Sequence, residues 1–249
     1  MDPHGKTALV TGAAGAFGRA LSAALLDAGA AVVAVDRDPE ALERLRADHP
    51  AVHPVACDLA DPDAVDAAVA DLFAGDRPLD IVVNNAGLIR SCPLVNIMRR
   101  DDRAHPVDLW REVLSANLDT VFFVTRAVAD HMLRHRRKGV VVNLSSVAAG
   151  GNAGQTAYAA AKAGVEALTA VWGRELGPLG IRCVAVAPGF MDTASTAAAL
   201  REEALEALRR EIPLRTLGEA AHVVAAVRHA IENDYLNGKV LPVDGGLVI

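Results

Sequence analysis

In the run Gly154-Gln-Thr-Ala-Tyr-Ala-Ala-Ala-Lys-Ala-Gly164, Tyr158 stands four residues before Lys162. A free phenol titrates at about 10 and a free lysine at about 10.4, so neither alone exchanges protons at neutral pH. A fixed ammonium beside a phenol stabilises phenolate, and an opposite charge a few ångström away lowers a pKa by about 1–3 units. The pair therefore predicts a tyrosine able to give and take a proton under ordinary conditions. A little upstream, Ser145 and Ser146 close the apolar stretch Val140-Val-Val-Asn-Leu144 and offer hydroxyls to the same chemistry. Such a spacing also arises by chance. It acquires meaning only if the rest of the chain supplies a cofactor and a substrate-facing hydroxyl.

Positioning the pair requires a helix. From Tyr158 to Leu176 the residues are mostly Ala, Leu, Glu, Lys and Val, with apolar positions every three to four and Gly177-Pro178 as a stop. Positions i and i+4 share a helical face, so both side chains can reach one site. Around this helix, short β-branched runs alternate with alanine-rich amphipathic stretches. The expected strands are Thr7–Thr11, Ala31–Asp36, Val52–Cys57, Ile81–Asn84, Val140–Leu144, Ile181–Ala187 and Lys239–Val243. Helices are expected near Ala16–Ala28, Pro39–His49, Asp61–Phe73, Asp108–Arg136, Tyr158–Leu176 and Glu219–Glu232. Strands apolar on both faces and separated by helices predict an α/β fold, a doubly wound parallel seven-stranded sheet covered on both sides. No break in composition divides residues 1–249, so one domain is expected. Two segments read as insertions after strand ends and as candidate lids: the polar, charged Asn96–Val107 and the helical Asp192–Ile212.

Composition excludes several classes. The chain has 249 residues, 52% of them hydrophobic and only 4% aromatic, which suits alanine- and valine-rich helices on a buried sheet. Net charge is -6, and the densest basic cluster, Arg134-His-Arg-Arg-Lys138, reads as cations at a helix C-terminus rather than as a nucleic-acid surface. Cys57, Cys92 and Cys183 are odd in number and far apart, which argues against a disulfide framework or a metal site. No leader and no membrane-spanning run is evident, so a cytoplasmic setting is expected.

The cofactor half begins at Thr11-Gly-Ala-Ala-Gly-Ala-Phe-Gly18, directly after the first strand. Glycines there allow a tight turn and let backbone N–H groups approach a pyrophosphate at a helix N-terminus. Gly12, Gly15, Phe17 and Gly18 are the candidate contacts. The second strand ends in Asp36, whose carboxylate can accept from ribose hydroxyls and repel a 2′-phosphate, favouring NAD(H). The guanidinium of Arg37 could instead bind that phosphate and admit NADP(H). Asp58 and Leu59 after the third strand, and Asn85, Ala86 and Gly87 after the fourth, would flank the adenine and its ribose. Pro188, Gly189, Met191 and Thr193, after the sixth, could hold the carboxamide or phosphates.

Together these motifs resemble the short-chain dehydrogenase/reductase family in its compact single-domain form, from Thr11 to the closing Val243-Asp-Gly-Gly246. The resemblance implies a catalytic set of Asn117, Ser146, Tyr158 and Lys162. Tyr158 would carry the proton of the substrate oxygen while hydride moves to or from the nicotinamide, and Ser146 would share the developing charge on that oxygen. Lys162 would lower the tyrosine pKa and bind ribose hydroxyls, and Asn117 would support a water leading protons to Lys162. The chain departs from the family at Ala16, where the glycine turn usually has Gly. The commoner spacing to the tyrosine would select Ser145, whereas aligning Asn143-Leu-Ser-Ser146 with the strand end selects Ser146, the serine taken here.

Within the family, Gly151–Gly164 and Val186-Ala-Pro-Gly-Phe190 resemble 3-oxoacyl-[acyl-carrier-protein] reductases most. That likeness implies reduction of a β-keto group on a carrier-bound acyl chain, in fatty-acid or polyketide assembly. An acidic carrier would need a basic patch, for which Arg99, Arg100, Arg103, Arg134, Arg136 and Arg137 are candidates. The alternative, which Asp36 supports, is an NAD-dependent dehydrogenase of a small secondary alcohol, sugar or steroid-like alcohol. A noncatalytic dinucleotide-binding scaffold is the third reading, and the presence of Ser146, Tyr158 and Lys162 argues against it. The family also implies a homotetramer.

Overall fold

Valine-rich runs form the centre of the computed structural model, which describes residues 1–75, 77–192 and 202–248. The strands are β1 (Thr7–Thr11), β2 (Ala31–Asp36), β3 (Val52–Ala56), β4 (Ile81–Asn84), β5 (Gly139–Leu144), β6 (Ile181–Pro188) and β7 (Lys239–Val243). The helices are α1 (Ala16–Asp27), α2 (Pro39–Asp48), α3 (Pro62–Ala74), α4 (Val107–Leu114), α5 (Thr120–Arg134), α6 (Thr156–Leu176), α7 (Glu202–Glu211) and α8 (Ala220–Glu232). All seven strands pair in parallel in the order β3-β2-β1-β4-β5-β6-β7. Strand order reverses between β1 and β4, and the crevice beyond the strand C-termini at such a point is where these sheets bind ligands.

Successive valines feed opposite faces. Val32, Val83 and Val142 join Leu21, Leu25 and Ile231 in the core beneath α1 and α8. Their neighbours Val33, Val82 and Val141 join Val69, Val128 and Trp172 beneath α3, α5 and α6. This period of two, with both faces apolar, is why the strands read as continuous valine runs. Polar residues are embedded where β4 and β5 lie in register. Asn84 Nδ2 donates to Asn143 Oδ1 (2.8 Å) and Thr125 Oγ1 (2.9 Å), and Asn143 Nδ2 donates to Thr169 Oγ1 (2.9 Å). The chain of bonds links α5, β4, β5 and α6 inside the core.

The long helix expected over Asp108–Arg136 is interrupted. Between α4 and α5, Ser115–Asp119 form a π-turn, in which the Thr120 N–H reaches back to Ser115 O. The cause is local: Asn117 Nδ2 donates to Val113 O (2.9 Å), the carbonyl that a regular helix would give to the Asn117 backbone. Insertion Asn96–Val107 is a tight reversal, with Asn96 N–H on Arg103 O (2.7 Å) and His105 N–H on Leu94 O (2.9 Å). Its tip is not purely polar, since Ile97 and Met98 are exposed there.

Candidate active site

The end of β1 and the exit of β4 are tied into one floor. Thr11 Oγ1 accepts from the N–H groups of Asn85 (2.9 Å) and Ala86 (3.0 Å), and Asn85 Nδ2 donates to Thr11 O (2.9 Å) and Gly12 O (3.1 Å). Gly12 has φ +59°, and a Cβ there would lie 2.8 Å from Ala86 Cα. A Cβ on Gly18 would lie 2.2 Å from Gly12 O, so that glycine lets α1 pack against its own entry turn. Gly15 differs: its Cβ would meet only Gly12 O, at 3.4 Å.

Helix α1 presents its N-terminus without a side-chain cap and without an acidic residue in its first turn. By contrast, α2 and α3 are capped by Asp38 and Asp61. An uncapped, positively polarised helix end behind a glycine turn fits the pyrophosphate of a dinucleotide. Asp36 stands beside that turn, its Oδ2 accepting from Ala14 N–H (3.1 Å) and its Oδ1 from Asp38 N–H (3.2 Å). Arg37 and Asp58 are exposed at the same edge. Leu59 and Met191 turn their side chains into the core. Phe17 packs half-buried against the core under α1, and Pro188 ends β6. Gly189 lies so close to Asp244 that a Cβ would fall 2.8 Å from its Cα. Thr193 lies outside the described residues.

The candidate catalytic residues gather where β5 meets α6. Tyr158 and Lys162 are both buried on one face of α6. Lys162 Nζ donates to Leu144 O (2.7 Å) and sits 5.6 Å from the Tyr158 ring centre. The Ser146 hydroxyl lies near enough to the Tyr158 phenol to lower its pKa, and its Oγ accepts from Ala148 N–H (3.2 Å). Ser145 points elsewhere, its Oγ donating to Glu166 Oε1 (2.8 Å). Asn117 closes the group from the π-turn. Its Nδ2 also donates to Leu88 O (2.9 Å) and its Oδ1 accepts from Leu88 N–H (3.2 Å), fixing the loop after β4. A Cβ on Gly87 would lie 2.6 Å from Asn117 Oδ1 and 3.7 Å from Lys162 Nζ, so Gly87 lets these groups converge.

Electrostatics correct one expectation. Lys162 was expected to lower the Tyr158 pKa, yet burial pushes the phenol up to about 12, with Ser146 pulling it back down. Burial likewise lowers Lys162 to about 8. Desolvation disfavours the charged form of each group and is the largest cause of both shifts. The docking candidates also separate. Arg137 is spent on the buried Asp80 (2.6 Å) at the start of β4, and Arg134 pairs with Asp130 (2.7 Å) at the end of α5. Because α5 runs back against the strands, Arg134, Arg136 and Arg137 lie at the sheet end opposite the site. Arg99, Arg100 and Arg103, in the reversal after β4, remain on the site's side and are exposed.

Several contributors went unread in the sequence. Thr11 looked like a strand end, and Asn84 and Asn143 looked like strand polars. Glu166 did carry a signal, eight residues after Tyr158 and so on the same face of α6.

A parallel sheet with a glycine-turn dinucleotide site at its switch point, and a Ser–Tyr–Lys group with its tyrosine and lysine buried beside it, defines a nicotinamide-dependent oxidoreductase. The profile described as short chain dehydrogenase matches residues 6–204, and the chain belongs to that family. It is 37% identical to 3-oxoacyl-[acyl-carrier-protein] reductase FabG of Thermotoga maritima, over 100% of both chains. It is 32% identical to acetoacetyl-CoA reductase of Acinetobacter sp. (strain RA3849), over 97% of each. Among solved structures, NAD+-bound xylitol dehydrogenase superposes with a TM-score of 0.89 at 26% identity, covering 99% of this chain and 100% of that one.

Proposed function

We propose that this enzyme reduces the β-keto group of a carrier-bound acyl chain, with Asn117, Ser146, Tyr158 and Lys162 as its catalytic set. The observation that carries this reading is the full-length likeness to 3-oxoacyl-[acyl-carrier-protein] and acetoacetyl-CoA reductases. Burial pushes the Tyr158 phenol up to about 12, so it carries its proton at neutral pH. Ketone reduction needs that acid form. Bound at the α1 turn, a nicotinamide dinucleotide supplies the hydride. Tyr158 then gives its proton to the substrate oxygen, and Ser146 donates a hydrogen bond to the same oxygen as its charge develops. Lys162 donates to the Leu144 carbonyl and would hold the ribose hydroxyls of a bound dinucleotide, and Asn117 keeps the loop after β4 in place and would support a proton-carrying water.

Asp36 supports NAD(H), since its carboxylate stands where a 2′-phosphate would be repelled. The exposed Arg37 is the route by which NADP(H) would be admitted. Arg99, Arg100 and Arg103 are the proposed contacts for an acidic carrier. The chain is read as a cytoplasmic homotetramer, for which α5 and α6 supply exposed Phe122 and Val171 and β7 supplies an open sheet edge.

A second reading, an NAD-dependent dehydrogenase of a small secondary alcohol or sugar, draws on Asp36 and on the likeness to xylitol dehydrogenase. Steady-state kinetics with NADH and NADPH separate the two, using acetoacetyl thioesters in one direction and a panel of secondary alcohols in the other. Thioester reduction with NADH preferred is the expected result. No thioester turnover with either cofactor, alongside oxidation of a polyol, would replace the first reading with the second.

A further inference from the structure

The end of β5 is held to α6 by three consecutive residues. Leu144 accepts from Lys162 Nζ through its carbonyl, Ser145 donates to Glu166 Oε1 at 2.8 Å, and the Ser146 hydroxyl lies near enough to the Tyr158 phenol to lower its pKa. On α6 the partners are Tyr158, Lys162 and Glu166, one face read at successive turns. The β5–β6 ladder gives its last bond at this point, Ser145 N–H to Val186 O (2.8 Å). Beyond it the chain leaves the sheet, and Ser146 is extended (φ −167°, ψ 153°). Ser145 and Ser146 are consecutive, so tying the Ser145 side chain to α6 restrains the backbone from which Ser146 projects. Glu166 is half-buried and engages in no ion pair among the described residues. An apolar side chain would pack there without the cost of desolvating a carboxylate.

We infer that Glu166, acting through Ser145, is a positioning residue that fixes the end of β5 so that the Ser146 hydroxyl faces Tyr158. The inference rests on the catalytic reading of Ser146 and Tyr158 given above. It assigns the two adjacent serines separate tasks. Ser146 meets the substrate oxygen, and Ser145 anchors it to the same helix that carries the acid.

The test compares Ser145→Ala, Glu166→Leu, Glu166→Gln and the double variant Ser145→Ala/Glu166→Leu with the intact enzyme. Turnover of an acetoacetyl thioester and NADH affinity by fluorescence titration are both measured. Small misplacement of a reacting group costs up to about 100-fold. Ser145→Ala and Glu166→Leu are each expected to lower kcat about 10- to 100-fold while NADH affinity stays within about twofold. Glu166→Gln keeps an acceptor oxygen and is expected to recover most of that loss. The double variant should be no worse than the poorer single one, because both remove one interaction. A further readout needs no turnover. The chain has two tyrosines, and Tyr235 is fully exposed, so 13Cζ labelling gives a Tyr158 signal beside an internal reference. That signal is expected to move in Ser145→Ala and Glu166→Leu as it does in Ser146→Ala, and to return in Glu166→Gln.

Wild-type kcat in Ser145→Ala, equal impairment in Glu166→Gln and Glu166→Leu, or an unmoved Tyr158 signal would each overturn the inference while leaving the function intact. Absence of thioester turnover in the intact enzyme instead counts against the proposed function, and the Tyr158 signal then decides the positioning role alone.

Discussion

Tyr158 and Lys162 share a helical face, and the burial that brings them together drives each toward its neutral form. For Lys162 the folded pKa of about 8 lies below the ordinary 10.5. Between these values the unfolded chain holds the proton more tightly, so this group's contribution to stability rises with pH through that window. Below about 8 the full cost of burying an ammonium is present. Tyr158 has the opposite sign: its stabilising contribution is whole below 10 and is lost as pH climbs from 10 toward about 12. Lys162→Met lacks the first effect. Thermal melts of the two proteins should therefore show the wild type gaining on Lys162→Met between about pH 8 and 10, and a constant difference in Tm across that range would contradict the assignment. Tyr158→Phe keeps the packing and removes the acid. It is expected to cut ketone reduction by about 10²–10⁴-fold with NADH binding unchanged, and retained turnover would rule out Tyr158 as the proton donor.

At the scale of elements, the glycine turn contains two kinds of glycine. Gly18 serves the contact between α1 and the turn, where a methyl would overlap the Gly12 carbonyl at 2.2 Å. Gly18→Ala should lower stability by about 2 kcal/mol or more through that overlap. Gly15 faces open space apart from one contact at 3.4 Å. Gly15→Ala should leave Tm within a few degrees yet weaken dinucleotide binding, because its methyl stands where the pyrophosphate approaches. Equal loss of stability in the two variants would undo this division. The Asn84–Asn143 pairing sets a second test. Asn143→Ala strips a partner from both Asn84 and Thr169 inside the core and should cost roughly 2–4 kcal/mol in urea denaturation. A cost below about 0.5 kcal/mol would mean that the ladder is not needed for the β4–β5 junction.

For the whole molecule, the surface features fall at separate places. The sheet ends in the open edge of β7, and α5 and α6 expose Phe122, Leu133 and Val171. Light scattering after gel filtration should return a multiple of the 26.0 kDa chain mass, and Phe122→Glu should shift it downward. A monomer at micromolar concentration would count against the assembly. The basic residues once grouped as one docking patch split between the two ends of the sheet. Charge reversal at Arg99, Arg100 and Arg103 should therefore raise KM for a carrier-bound substrate and leave that of a coenzyme A thioester nearly unchanged. Reversal at Arg136 should affect neither.

The sequence by itself determined the parallel sheet, because short, mostly apolar, valine-rich runs such as Val140–Val142 alternate with helical stretches along the whole chain. It also determined the glycine turn, Asp36 at its strand end and the Tyr158–Lys162 spacing, since each follows from local backbone geometry. The break at Asn117 was not legible, because whether its amide turns back to Val113 O is decided together with its two bonds to Leu88, 29 residues away in the loop after β4. Nor could the direction of Ser145 be read, since two adjacent serines differ only in which side of the strand end they face. The protonation of Tyr158 and Lys162 also waited for the fold. Spacing gives the distance between the two groups, whereas only tertiary packing says how much water each has lost, and here that loss is the largest cause of both shifts.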